Sequence, residues 1–134
     1  EPDRRAAPVD VDAVERLFRQ WPEARILWAH SGFERPEKVR ELLRRHTRLW
    51  CDLAYRNEQA SGTKVDAGWR EAFTEFPGRF MVGTDTFTPE RWWYVPEHAN
   101  WARGWLGDLP RDLAERIAYR NAEAMLASRR PAEP

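Results

Sequence analysis

One cysteine, Cys51, is all that this 134-residue chain carries, so no internal disulfide can form and nothing marks an oxidising compartment. Its place inside the apolar run Leu49-Trp50-Cys51 reads as a core thiol. An excess of either charge is missing too. Twenty-two basic residues meet twenty-two acidic ones, which removes the basic stripe that a nucleic-acid partner requires. Lysine is scarce, two against twenty arginines, and this reads first as coding bias. No apolar run approaches the roughly 20 residues of a membrane span, and no signal-peptide pattern is visible, so the expected setting is the cytoplasm with no membrane partner. A glycine-rich phosphate loop, a nucleophile elbow and a cysteine-plus-histidine metal cluster are likewise absent.

What is present is apolar and aromatic. Hydrophobic residues make up 42% of the chain and eight are Trp, enough for one packed domain. The chain opens on Glu1-Pro2-Asp3 rather than Met, which reads as processing or as an excerpt of something longer. Past Ser128 the polar tail, residues 128–134, is expected to fray.

A helix-then-strand unit recurs. Asp12-Ala13-Val14-Glu15 reads as a capping box, followed by the stripe Val14, Leu17, Phe18 and Trp21 and a stop at Pro22, then a strand over 25–30. Pro36 suits a first helical turn, with Val39, Leu42, Leu43 and His46 at the same spacing and a strand over 48–52. Asp66 is the next N-cap, with Trp69, Ala72, Phe73 and Phe76 behind it, Pro77-Gly78 as breaker and a strand over 79–84. The first and third units match at an offset of 55 residues, Phe18 with Phe73 and His30 with Asp85. This order predicts an α/β fold with three parallel strands and flanking helices. Residues 109–127 read as a closing helix opened by Pro110, in which Asn121 is structural. Residues 54–65 read as a polar loop, and 86–108 as an aromatic segment in which His98, Trp101 and Trp105 share a helical face.

Each predicted strand runs into an ionisable residue: His30, Asp52 and Asp85. The carboxyl ends of parallel strands form the ligand face of such folds, so these residues are candidates for a metal or acid/base site. His30 precedes Ser31-Gly32, whose glycine permits a tight turn, and imidazole ligates divalent cations or works as an acid/base near neutral pH. Asp85 ends a run too apolar for an unpaired carboxylate. Asp52 reads as support for His30 or as a turn cap. Trp92, Trp93 and His98 are candidates for a substrate-pocket wall, with buried packing as the equal alternative for the aromatic segment; His46 reads as packing.

Ile26-Leu27-Trp28-Ala29-His30-Ser31-Gly32, the strand to Asp52, Gly83-Thr84-Asp85-Thr86 and Ala114 through Ala122 together resemble the amidohydrolase superfamily, in its "amidohydrolase 2" group. The resemblance spans about residues 10–127 and aligns these stretches with strands six to eight and the closing helix of a (β/α)8 barrel. It implies a partial TIM barrel, residues 1–134 being a carboxyl-terminal segment of a metal-dependent hydrolase. It makes Asp85 a metal ligand and proton acceptor for attacking water, and His30 a ligand or a polarising group. The implied cofactor is a divalent metal ion, zinc foremost, and the implied partner a small-molecule substrate. The family's His-x-His and its fifth-strand histidine are not found here, so the ligand set is incomplete and the chain by itself is expected to be inactive. Open sheet edges would favour a homo-oligomer. A non-hydrolytic decarboxylase of the same superfamily and a catalytically dead α/β binding module are the alternatives.

Overall fold

The computed structural model describes residues 9–54 and 59–128. In chain order these form α1 (Val11–Gln20), β1 (Ile26–Trp28), a five-residue turn Ala29–Phe33, α2 (Pro36–Arg45) and β2 (Leu49–Asp52). A hairpin of β3 (Ala60–Ser61) and β4 (Lys64–Val65) follows, then α3 (Ala67–Glu75) and β5 (Phe80–Met81). A 3₁₀ turn Pro89–Tyr94 leads into α4 (Val95–Leu106), and α5 (Arg111–Glu115), a π turn Arg116–Arg120 and α6 (Asn121–Ala127) close the described chain. No helix among the described residues is long and apolar enough to cross a membrane.

The three predicted parallel strands are present, in the order β1-β2-β5, with Leu27 opposite Trp50 and Cys51 opposite Phe80. Each is shorter than expected. Alternation sorts their side chains: Trp28, Leu49, Cys51 and Phe80 enter the core with Val14 and Phe18 of α1, Val39, Leu42 and Leu43 of α2, and Trp69, Ala72 and Phe73 of α3. Cys51 is fully buried there. The second face carries Leu27, Trp50 and Met81. The guanidinium groups of Arg25 and Arg79 lie 5.2 and 5.5 Å from the Trp50 ring, and α6 adds Met125 and Leu126 to a groove beside Leu27 and Met81.

Several local expectations are corrected. The first helix begins before Asp12: Asp10 is its N-cap, its Oδ1 accepting the Ala13 N–H at 2.8 Å, while Asp12 sits in the first turn against the positive helix end. Only Val14 and Phe18 of its stripe are buried, and Leu17 and Trp21 face solvent. Asp66 does start α3, but its carboxylate accepts from Ser61 Oγ at 3.1 Å instead of capping. The expected loop over 54–65 contains the β3–β4 hairpin, with Ala60 and Val65 buried; residues 55–58 of that loop lie outside the described residues. The segment 86–108 is largely helical, because α4 buries Ala102, Trp105 and Leu106 and stacks Trp105 on Phe73 at 5.9 Å. Of the tail expected to fray, Ser128 caps α6 and 129–134 fall outside the described residues.

The closing helix is interrupted by one widened turn. Within it the Ile117 carbonyl accepts the Val82 N–H at 3.0 Å, and one turn on, the Asn121 amide donates to Pro77 O and Phe80 O at 2.8 and 2.7 Å. The outer margin of β5 is therefore covered by helix rather than left open. Asn121 has the structural role expected of it.

Candidate functional site

Sequence places His30 and Asp85 just past apolar strands, and both lie in turns that leave the strand ends. After Trp28 the backbone enters a left-handed turn: φ is +56° at His30, +47° at Ser31, +62° at Gly32 and +55° at Phe33. L-residues avoid this region at about 1–2 kcal/mol each, so His30, Ser31 and Phe33 require the surroundings to impose it, while Gly32 adopts it freely. The constraints are visible. Asp52 Oδ1 accepts the backbone N–H of both His30 (3.1 Å) and Ala54 (2.9 Å), and buried Ser31 donates its hydroxyl to Asp52 O at 2.8 Å. At Gly32 a Cβ would lie 2.1 Å from the Trp28 indole, so no side chain fits. The Asp52 carboxylate thus supports the histidine turn.

The ring of His30 is oriented by the same neighbour. Its Nδ1 lies 2.9 Å from Ala54 O, which only accepts, so Nδ1 carries a proton and donates it there. Phe33 stacks on the imidazole at 4.9 Å. Gly83, which precedes the Asp85 turn, packs against this loop so closely that a Cβ there would be 3.1 Å from Ala54 Cβ. The strand ends of β1, β2 and β5 are drawn together through these contacts.

Asp85 follows β5 by four residues and also has positive φ, +51°. Its Oδ2 accepts from Arg91 Nη1 at 2.9 Å, and the Arg91 guanidinium lies 4.8 Å from the Phe87 ring. Thr84 and Thr86 join their hydroxyls at 2.9 Å across the turn. His30, Phe33, Asp85, Arg91 and Tyr94 line one open cleft of about 470 Å³.

The imidazole and the carboxylate singled out by sequence are therefore brought to one cavity. From the aromatic segment it is Tyr94 that lines the cleft, with Phe33 and Arg91 beside it, while Trp92 and Trp93 stand 62% and 66% exposed and are not among its lining residues. His98 sits behind the wall, its ring 5.8 Å from Tyr94, and Trp93 packs on Tyr94 at 3.8 Å. His46 is remote from the cleft, stacked on Phe18 at 4.2 Å with Nε2 3.0 Å from Glu15 Oε2. Sequence reasoning did not single out Phe33 or Arg91, and it held Tyr94 only as part of the aromatic segment 86–108. Phe33 had a signal in its position after Ser31-Gly32; Arg91 was one arginine among twenty.

Among the described residues, no three His, Cys, Asp or Glu side chains gather as a cation site. The pair is of metal-ligating residue types, an imidazole anchored on a carbonyl through Nδ1 and a carboxylate that Arg91 holds, both at the cleft. They amount to two donors of the four that zinc takes.

A parallel α/β sheet with a histidine and two aspartates gathered at its strand ends has the layout in which such folds carry their ligand face. A family model described as amidohydrolase matches residues 1–127, and the chain belongs to the amidohydrolase superfamily. No curated protein and no solved structure gives a match. The family's chemistry is hydrolase-type or related.

Proposed function

We propose that the chain is part of a metal-dependent hydrolase, its three parallel strands belonging to a (β/α)8 barrel whose remaining ligands lie outside the described residues. The observation that carries this is the shared cleft of His30 and Asp85, which follow two strand ends, with His30 braced by Asp52 at the end of the strand between them and by Ala54 just past it. His30 Nε2 and the Asp85 carboxylate would hold a divalent cation, zinc foremost. When bound, that cation supplies the Lewis acidity that makes water a nucleophile at neutral pH. In this reading Asp85 would accept the proton of the attacking water, and the left-handed turn would spare the imidazole from reorganising. Phe33 and Tyr94 present ring surfaces to a small organic substrate, and the Asp85 and Arg91 side chains give the cleft its polarity.

Zinc titration into the purified chain, followed by isothermal calorimetry, tests the ligand assignment. Two donors predict weak but saturable binding that is lost in Asp85→Asn and in His30→Ala, with circular dichroism unchanged. Wild-type binding in either variant would remove that residue from the site.

A further inference from the structure

Burial does not explain the conformation of Phe33. It is a non-glycine residue at φ +55°, and it stands 49% exposed while Phe73 and Phe80 are fully buried. A phenyl ring half in water recovers only part of the free energy that a core ring gains, and left-handed backbone opposes its side chain. The strained residue nevertheless lines the cleft, its ring nearly parallel to the His30 imidazole, with 4.9 Å between centroids and 19° between planes. Tyr94 brings a second ring to the same lining and is backed by Trp93 at 3.8 Å. Backbone strain of this kind concentrates at ligand clamps, where the surrounding structure imposes it.

We propose that Phe33 is a specificity-determining residue whose ring makes the cleft select a planar aromatic ligand over a saturated one of like size and polarity. This rests on the reading of the cleft as the substrate site and is independent of any cation held there. An aromatic ring can lie offset on the phenyl face or edge-on to it, at centroid distances of about 4.5–7 Å, and gains more than its buried area alone. A saturated ring carries hydrogens on both faces, so it gives up the quadrupole match and the close approach. The cavity of about 470 Å³ has room for one ring with a small polar substituent, and His30, Asp85 and Arg91 supply the polar part of its lining. Contacts of Ser31 and Asp52 fix the turn that carries Phe33, so its backbone is already ordered before a ligand arrives.

The test is a ¹H–¹⁵N titration of the chain, in the presence of a chelator, with benzamide and with cyclohexanecarboxamide, which share one polar group and differ in ring planarity. Benzamide should bind about three- to tenfold more tightly and shift the amides of residues 30–34 and of Tyr94. Phe33→Leu keeps apolar bulk and the backbone strain but not the planar ring, and should bind the two probes alike; Phe33→Tyr should keep the preference. Phe33→Gly should lose the preference too, with a urea midpoint unchanged or raised, because glycine meets this backbone without strain. A lowered midpoint in Phe33→Gly would make the ring a structural brace, and a preference that survives in Phe33→Leu would put the selecting surface elsewhere; either result overturns the proposal. Equal binding of both probes at the wild-type cleft overturns it as well and leaves the substrate-site reading standing. Should neither probe shift the cleft amides, that reading fails and the proposal with it.

Discussion

Gly32 shows most plainly how a single position shapes the cleft. A methyl group there would strike the Trp28 indole at 2.1 Å in a backbone region that L side chains avoid. Gly32→Ala is therefore expected to cost at least about 2 kcal/mol, read as a lowered urea midpoint; an unchanged midpoint would mean that the turn is not constrained as described. His30 and Asp85 were legible because each interrupts an apolar run with a group that such a run cannot bury unpaired. Arg91 was not legible: its pairing with Asp85 joins residues six apart across a chain bend, and periodicity carries no signal for that. Ser31 is intermediate. Its adjacency to His30 was visible, whereas its donation to Asp52 O needs the juxtaposition of β1 and β2, which only the fold supplies.

Among the elements, the closing helix does more than cover apolar surface. Asn121, nearly fully buried, holds two carbonyls at the start of β5, and Asn121→Ala would leave Pro77 O and Phe80 O unpaired. A loss of about 2 kcal/mol is expected in denaturant unfolding, and Asn121→Asp should not rescue it, because a carboxylate has no N–H to give. Neutral behaviour of Asn121→Ala would show that the helix is docked by its apolar face alone. The helix over 109–127 was read correctly as an element, but not its π turn, which puts Ile117 and Asn121 in the interior and leaves Ala118 and Ala124 exposed. Strand lengths were overestimated for a related reason. The apolar runs continue past Trp28 and Met81, but the backbone there turns toward the cleft and leaves the ladder. In α4 the helical face read from His98, Trp101 and Trp105 is present, and Ala102 and Leu106 join Trp105 in the core, whereas the side chains of Trp92-Trp93-Tyr94 belong to the cleft wall and its margin.

Across the whole molecule, charge couples the layers while the cleft stays open. Glu75 is held below the ordinary carboxylate range by hydrogen bonds from Arg44 and Arg40, which tie α3 to α2. Asp108 is held low by the Val65 N–H and by Lys64, with Arg70 also paired, and so anchors the hairpin to the end of α4. A lowered folded value means that the unfolded chain binds more protons on acidification. Their contribution is therefore complete above the ordinary carboxylate range and is lost as pH falls through the folded values. The melting temperature should drop below about pH 4, and the drop should be shallower in the Glu75→Gln, Asp108→Asn double variant; equal slopes would assign acid sensitivity to other groups. The central claim, that one imidazole and one carboxylate address the same cavity and the same cation, is tested most directly by paramagnetic broadening with manganese(II) added to the labelled chain. The account predicts that the His30 ring and Asp85 carboxyl signals broaden first and in parallel, ahead of the surface carboxylates at Asp112 and Glu115. Broadening that reaches one of the two without the other, or only those surface groups, would contradict it.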